Sequence, residues 1–226
     1  MLNATLPTDT RHCAVSALRC IAAEAGDPLA KLFENDGATA HFRANDEIFA
    51  EEEAADAVYR VTEGVARICK FTEDGRRQIG EFHFSGDVFG LEYGSHRSVC
   101  AEAVTDCRVS IVGRAQLLAK ARRDGELANA LWRSSCDALH RMHEQLFLLG
   151  RANAADRVLA FFHMTAERLN SRGVVEIPMS RQDIADHLGL NIETVSRTIT
   201  QLRGEGAIRL EGARRVCLDT HDRLYA

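Results

Sequence analysis

The segment that most restricts the fold is "MSRQDIADHLGLNIETVSRTITQLRGEG", residues 179–206. Ser180, with Asp183 three residues later, predicts a capping box at the start of a first short helix. Gly189 supplies the left-handed position that ends that helix, and Asn191 is placed to cap a second one. The segment therefore predicts two short helices joined by a tight turn, which is a helix-turn-helix hairpin.

The second helix divides into a buried stripe and an exposed face. Val195, Ile199 and Leu202 recur at helical spacing and predict its packed side. The opposite side, at the N-terminal end where such helices meet base edges in the major groove, carries Ile192, Glu193, Ser196, Arg197 and Thr200. A carboxylate can accept from a cytosine amino group, and an arginine can bond guanine or hold the carboxylate in place. The alternative is an ordinary i, i+4 ion pair between Glu193 and Arg197 on a solvated helix.

A predicted β-hairpin, "AIRLEGARRVCL", follows the second helix and completes a winged helix-turn-helix over residues 151–226. Hydrogen bonds to phosphates position such a unit on DNA without reading sequence. The residues available for phosphate contacts are Arg181, Thr200, Arg203, Arg214 and Arg215.

The middle of the chain predicts an antiparallel β-roll over residues 38–114, after an N-terminal extension at 1–37. Short β-rich runs such as "AVYRV" and "RVSIV" are separated by turn signals, which predicts about eight strands. Gly64, Gly75, Gly86 and Gly94 are the expected positive-φ positions. The fold class is accordingly α+β.

Residues 115–150 have helical periodicity and predict a dimerisation helix between the two domains. Apolar residues spaced alternately four and three apart form a coiled-coil seam of about three heptads, which favours a parallel homodimer. The alternative is a helix packed only on its own domain. The predicted seam residues are Trp132, Leu139, Met142, Leu146 and Leu149, on a register that begins at Ala128 and includes Ser135.

Composition excludes several classes of protein. The chain has 226 residues, 46% of them hydrophobic, and neither a membrane-length apolar run nor a signal peptide, so we expect a cytoplasmic protein with no membrane partner. The net charge of −5 arises before residue 178, because acidic and basic residues balance beyond it. The seven cysteines include no C-x-x-C pair and predict no disulfide framework. A cupin enzyme would need a His-x-His pair, and "FHFSG" has one histidine; no phosphate loop or catalytic pairing stands out, so we expect no catalysis.

The order of these parts resembles the Crp/Fnr superfamily of bacterial transcription regulators across nearly the whole chain. The most specific words are "DGRRQIGEFH", "GDVFGLEYG", "AEAV" and the segment at 179–202, and they look closest to the FixK-like subgroup. The resemblance implies a homodimeric regulator, mainly an activator, of microaerobic respiration or nitrogen-fixation genes. It implies base reading by Glu193, Ser196 and Arg197 at a TTGAT-N4-ATCAA palindrome, with Ile192 against a thymine methyl, and activation through RNA polymerase.

The resemblance also raises the question of a small effector, and no cofactor is expected. For cyclic AMP, Arg97 and Ser98, with Gly86 and Asp87, resemble the phosphate site, but Met142 and His143 stand where polar base contacts belong. The chain lacks the cysteine spacing that an Fnr-type iron–sulfur cluster needs, although a variant cluster through Cys13, Cys20, Cys100 and Cys107 is conceivable. No motif selects a haem ligand among His83, His96, His140 and His143. Cys217 on the wing is a candidate redox thiol, and the preferred hypothesis is regulation without a small ligand.

Overall fold

The computed structural model describes residues 26–151, 153–171 and 173–218. Residues 38–113 form eight strands in two antiparallel four-stranded sheets, ordered β1-β8-β3-β6 and β2-β7-β4-β5. The strands are β1 Ala38–Phe42, β2 Glu47–Phe49, β3 Ala57–Glu63, β4 Ala66–Phe71, β5 Arg77–His83, β6 Val88–Phe89, β7 Cys100–Ala103 and β8 Cys107–Gly113. Apolar side chains from both sheets, among them Phe49, Val61, Ala101 and Val109, form the core of the predicted roll.

Three of the four predicted turn glycines have positive φ. Gly64 has a φ of 84°, and an added Cβ there would lie 2.2 Å from the carbonyl oxygen of Asp106, so a side chain is excluded on two grounds. Gly75 and Gly86 also have positive φ. The prediction for Gly94 is wrong, because its loop turns without a left-handed residue at that position.

The helical region is divided where one continuous segment was predicted. Helix α1 is Pro28–Asp36, α2 is Arg114–Ala121 and α3 is Gly125–Leu149. Asp124 separates α2 from α3, because its side chain accepts hydrogen bonds from the backbone N–H groups of Glu126 and Leu127 and caps the longer helix. Leu127 and Ala130 of α3 pack with α1 and the first sheet.

The C-terminal unit is a winged helix-turn-helix. It comprises α4 Ala154–Arg168, β9 Val174–Glu176, α5 Arg181–Leu188, α6 Ile192–Gly204, β10 Ile208–Leu210 and β11 Arg215–Leu218, with a sheet order of β10-β11-β9. The capping predictions are confirmed: Ser180 and Asp183 form a reciprocal capping box, Gly189 has a φ of 63°, and Asn191 caps α6. Val195, Ile199 and Leu202 are buried, as their spacing predicted.

One continuous apolar core joins the roll to the winged helix. It combines Phe82 and Cys100 from the second sheet with Phe161 from α4 and Ile184 and Val195 from the helix-turn-helix. The rings of Phe82 and Phe161 meet edge to face, with centroids 6.2 Å apart. The sheet therefore supports the helix-turn-helix directly. Among the described residues, no helix has both the length and the apolar character needed to cross a membrane.

Candidate nucleic-acid interface

The first helix of the hairpin is fixed to the roll by a buried charge network. Asp183 has two roles: one carboxylate oxygen caps α5 through the N–H and hydroxyl of Ser180, and the other accepts hydrogen bonds from Arg67 at 2.9 Å and Arg77 at 2.7 Å. Arg67 also donates to Glu102 of β7 at 2.7 Å. The sequence predicted the cap but not the ion pairs.

Asp186, one turn further along α5, extends this network by accepting from Nε of Arg77 at 2.8 Å. Burial alone would lower the pKa of Arg77, but the carboxylates of Asp186, Asp183 and Glu102 outweigh it and raise that pKa. Two arginines of the β4–β5 hairpin thus bind three carboxylates, two of them on α5 and one on β7.

His187 provides a second docking point. Its ring packs against Phe82 and Phe161, and its Nδ1 lies 3.1 Å from the carbonyl oxygen of Ile79 in β5, within hydrogen-bonding distance. Burial lowers the pKa of this imidazole to about 4, so the ring is neutral at neutral pH. Gln145 of α3 donates to the backbone carbonyl of His187 at 2.7 Å. Helix α5 is therefore positioned against both the roll and the long helix.

The predicted base-reading residues lie together on the exposed side of α6. Glu193, Ser196 and Arg197 are exposed, and Ile192 at the helix start is 37% exposed despite being apolar. Glu193 and Arg197 do not form the ion pair that was the alternative. Within the described ranges neither side chain has a hydrogen-bond or ion-pair partner. Both charged groups are available to an external ligand.

The candidate phosphate contacts differ in how free they are. Arg203 and Arg214 are exposed, whereas Arg215 is exposed but lies 3.3 Å from Glu211. Arg181 is half-buried beside Ile177 and Met179 in a cleft of the winged unit, and this burial lowers its pKa.

Two further polar residues of the winged unit differ from what the sequence predicted. Thr200 donates its hydroxyl hydrogen to the carbonyl of Ser196 at 3.0 Å, so that hydrogen is used within the helix. Sequence reasoning overlooked Arg209, which is exposed on β10.

The possible cyclic-nucleotide phosphate site in the roll is occupied by the chain's own groups. Arg97 is buried; its guanidinium donates to the carbonyls of Gly90 at 2.8 Å and Ala57 at 2.6 Å. A carboxylate oxygen of Glu92 accepts from both the N–H and the hydroxyl of Ser98, at 2.9 Å and 3.1 Å. An internal carboxylate therefore takes the donors that a phosphate would need.

The same holds for Asp87, another predicted member of that phosphate site. Its side chain accepts from the backbone N–H of Phe84 at 2.6 Å and pairs with Arg168 of α4. On α3, Met142 and His143 are exposed.

The two described cysteines of the variant cluster considered from the sequence lie in separate cores. Cys100 packs in the core shared with the winged helix, whereas Cys107 packs inside the roll, and Cys13 and Cys20 lie outside the described residues.

Cys217, the candidate redox thiol, is buried on β11 and donates to Glu211 at 3.3 Å. Burial and this carboxylate raise its pKa, which opposes formation of a reactive thiolate.

The four histidines considered as haem ligands do not converge on one site. His83 is buried between Glu81 and the ring of Phe89, and burial lowers its pKa. His140 lies 3.4 Å from Glu144 on the exposed side of α3, and His143 is exposed on the same helix. His96 lies in the loop after β6, with its Nδ1 3.0 Å from the Ser95 hydroxyl.

The predicted seam of α3 is an exposed apolar stripe. Trp132 is 71% exposed, and Leu139, Met142 and Leu146 are also exposed, while Leu149 is half-buried at the end that approaches Gly189. Sequence reasoning overlooked Phe147, which is exposed beside the stripe. Such a stripe on a long helix is the surface that a parallel partner helix would cover.

Comparison with known proteins agrees with this architecture. Residues 39–124 match the model of the cyclic nucleotide-binding domain family, and residues 156–226 match that of the Crp-like helix-turn-helix domain. The nitrogen fixation regulation protein FixK of Azorhizobium caulinodans is 50% identical over 187 residues, covering 80% of this chain and 75% of that protein. The transcriptional activatory protein AadR of Rhodopseudomonas palustris is 37% identical and covers 87% and 84%.

Among solved structures, FixK2 from Bradyrhizobium japonicum superimposes with a TM-score of 0.78 at 41% identity, covering 83% of this chain and 95% of that one. The match spans the roll, the long helix and the winged unit in the order described above. With its helix-turn-helix docked on the roll and the predicted base-reading face exposed, the chain belongs to the FixK-like members of the Crp/Fnr superfamily and is a DNA-binding transcription regulator rather than an enzyme.

Proposed function

We propose that this regulator binds a TTGAT-N4-ATCAA palindrome as a homodimer and activates genes of microaerobic or anaerobic respiration or nitrogen fixation. The observation that carries the proposal is the unpartnered face of α6, where Glu193 and Arg197 are exposed and free among the described residues. Relatives named as nitrogen fixation regulators support the choice of target genes.

Base reading follows from the chemistry of four side chains. Each half-site has one G·C pair, whose cytosine amino group suits the Glu193 carboxylate and whose guanine N7 and O6 suit Arg197. Ser196 lies between them and can bond either base, and Ile192 at the helix tip can contact a thymine methyl. The phosphate contacts then come from Arg181, Arg203, Arg214 and Arg215, with Thr200 contributing through its oxygen or after releasing Ser196.

Dimerisation places two copies of this face on one side of the duplex. Contact along the stripe from Trp132 to Leu146 would pair two α3 helices in parallel, and the docked α5 would hold each α6 at a fixed position relative to that pair. Two recognition helices about one DNA turn apart, roughly 34 Å, match the spacing of a palindrome. The bound dimer would then contact RNA polymerase through surface loops of the roll.

Regulation without a small ligand is part of the proposal. Its support is the position of Glu92, whose carboxylate binds Ser98, and of Arg97, whose guanidinium is engaged by two backbone carbonyls. A cyclic nucleotide would have to displace the internal carboxylate before its phosphate could bind.

Fluorescence anisotropy of a labelled duplex tests the target. We expect the purified protein, with no added ligand, to bind the palindrome far more tightly than a scrambled duplex. Affinity should fall steeply between about 50 and 200 mM salt, as it does when several phosphates are contacted. Equal affinity for the palindrome and the scrambled duplex would contradict the proposed target. In vitro transcription with purified RNA polymerase from a promoter carrying the site would test activation.

A further inference from the structure

Two buried thiols face each other at the sheet that supports the helix-turn-helix. Cys69 on β4 and Cys100 on β7 are directly opposed in the antiparallel register, and their sulfur atoms lie 3.1 Å apart. They are 1% and 4% exposed. Directly opposed residues have Cα atoms about 4.5–5.5 Å apart, which is inside the range that a disulfide bridges. The backbone already meets the requirement for a covalent bond between them.

The next cross-strand pair on the same face is the one that docks the DNA-reading unit. Residues two apart along a strand point to the same side, so Arg67 and Glu102, which are also opposed in the register, neighbour the thiol pair. Arg67 bonds Glu102 and reaches Asp183 of α5. A change in the distance between Cys69 and Cys100 therefore acts on the neighbouring Arg67–Glu102 pair, which contacts α5 through Asp183.

We propose that Cys69 and Cys100 form a reversible cross-strand disulfide, and that this bond weakens the docking of the helix-turn-helix on the roll. The sulfurs need to approach by about 1 Å to reach bonding distance. That movement draws the side chains of β4 and β7 together and displaces the adjacent Arg67 from its position between Glu102 and Asp183.

The oxidant is a peroxide, and the reaction balances as follows. One of the two thiols loses its proton, and its sulfur attacks one peroxide oxygen; the O–O bond breaks, leaving a sulfenic acid and, after protonation, water. The sulfur of the other thiol then attacks the sulfenic sulfur, forming the S–S bond and breaking the S–O bond, and the released hydroxide takes that thiol's proton and leaves as a second water. The two sulfurs lose two electrons and the peroxide gains them. A thiol reductant reverses the reaction by disulfide exchange.

Either thiol can make the first attack, because the two sulfur atoms lie 3.1 Å apart and both are buried. Burial raises the pKa of both thiols, and the Cys100 thiol also donates a hydrogen bond to the backbone carbonyl of Cys69 at 3.0 Å. Raised pKa values also make the reaction slow, since the thiolate is the reactive form. The site thus responds to sustained oxidation and not to a brief pulse.

A metal ion is the competing occupant of the same residues. Three possible metal ligands lie within 4.8 Å of one another: the sulfur atoms of Cys69 and Cys100 and a carboxylate oxygen of Glu102. However, the Glu102 carboxylate already accepts from Arg67 at 2.7 Å and from Arg77 at 3.4 Å. Two guanidinium cations oppose the approach of a third positive charge, which favours the disulfide.

Peptide mapping tests the bond. The full-length protein is incubated with hydrogen peroxide, remaining thiols are alkylated, and the protein is digested with trypsin and a glutamate-specific protease, which separates Cys100 from Cys107 by cutting after Glu102. We expect residues 68–70 linked to residues 98–102, and release of the two peptides by dithiothreitol. C69A and C100A should each abolish the linked species, while C107A should keep it. Both thiols remaining free while the exposed Cys136 is oxidised, or zinc bound by both thiols, would overturn the proposal.

DNA affinity tests the coupling, and this arm relies on the proposed palindrome. We expect the oxidised protein to bind the palindrome at least about five-fold more weakly than the reduced protein, which is the lower range of typical coupling between sites. C100A should bind equally under both conditions. Unchanged affinity in a protein shown to carry the linked peptides would refute the coupling. Failure of the reduced protein to bind would count against the palindrome, and the linked peptides would still decide the disulfide.

Discussion

Replacing Arg67 by methionine tests whether the buried charge network holds the DNA-reading unit on the roll. The Arg67 side chain is 4% exposed and contacts Asp183, at 6% exposure, and Glu102, at 16%. Removing one partner of a buried ion pair costs about 3–5 kcal/mol, because the other charge is left buried without it. Arg77 still reaches both carboxylates, so we expect the lower end, about 3 kcal/mol.

Urea unfolding followed by circular dichroism measures this loss. With a slope of about 2–3 kcal/mol per M urea, the Arg67→Met midpoint should fall by about 1 M. The matched control is Arg76→Met, because Arg76 is 82% exposed in the β4–β5 turn and, among the described residues, pairs with Asp74 alone. The double variant Arg67→Met/Asp183→Asn should lose less stability than the two single variants added together. If Arg67→Met and Arg76→Met unfold at the same urea concentration, the network does not hold the domains together.

Three further outcomes are expected. Because the folded pKa of His187, about 4, is below its unfolded value near 6.5, its contribution to stability is complete above pH 6.5 and is lost as pH falls towards 4. The maximum loss is about 3 kcal/mol, and acid titration of unfolding should show a flatter dependence in His187→Gln. Leu139→Asp should weaken dimerisation at least about 100-fold in analytical ultracentrifugation, whereas Leu118→Asp, on α2, should not. Millimolar cyclic AMP should leave the melting temperature unchanged, because the Glu92 carboxylate already accepts hydrogen bonds from the N–H and the hydroxyl of Ser98.

Local signals in the sequence predicted the helix-turn-helix in detail. Ser180, Asp183, Gly189 and Asn191 act within a few residues of themselves, so their roles follow from spacing and capping chemistry alone. The exposed stripe of α3 was predicted for the same reason, since helical periodicity is a local property.

Contacts between distant parts of the chain could not be predicted in this way. Arg67 and Asp183 are separated by 116 residues, and the sequence shows only an arginine in a strand and an acid at a helix start. The facing thiols Cys69 and Cys100 required the strand register, because composition alone does not pair cysteines. The break between α2 and α3 was missed because the Asp124–Gly125 start signal was overlooked.

The central claim is that the exposed face of α6 reads bases, and one comparison of affinities tests it most directly. Binding is measured to the palindrome and to a duplex in which the G·C pair of each half-site is replaced by A·T, for the unaltered protein, Arg197→Ala and the control Arg76→Ala. A bidentate contact is worth about 1–3 kcal/mol per half-site, so we expect the unaltered protein and Arg76→Ala to favour the palindrome by at least about 30-fold. Arg197→Ala should lose most of this preference, because only the contact of Glu193 with the cytosine of the same pair remains to discriminate. Discrimination that survives intact in Arg197→Ala would contradict the assignment of this face as the reader of the sequence.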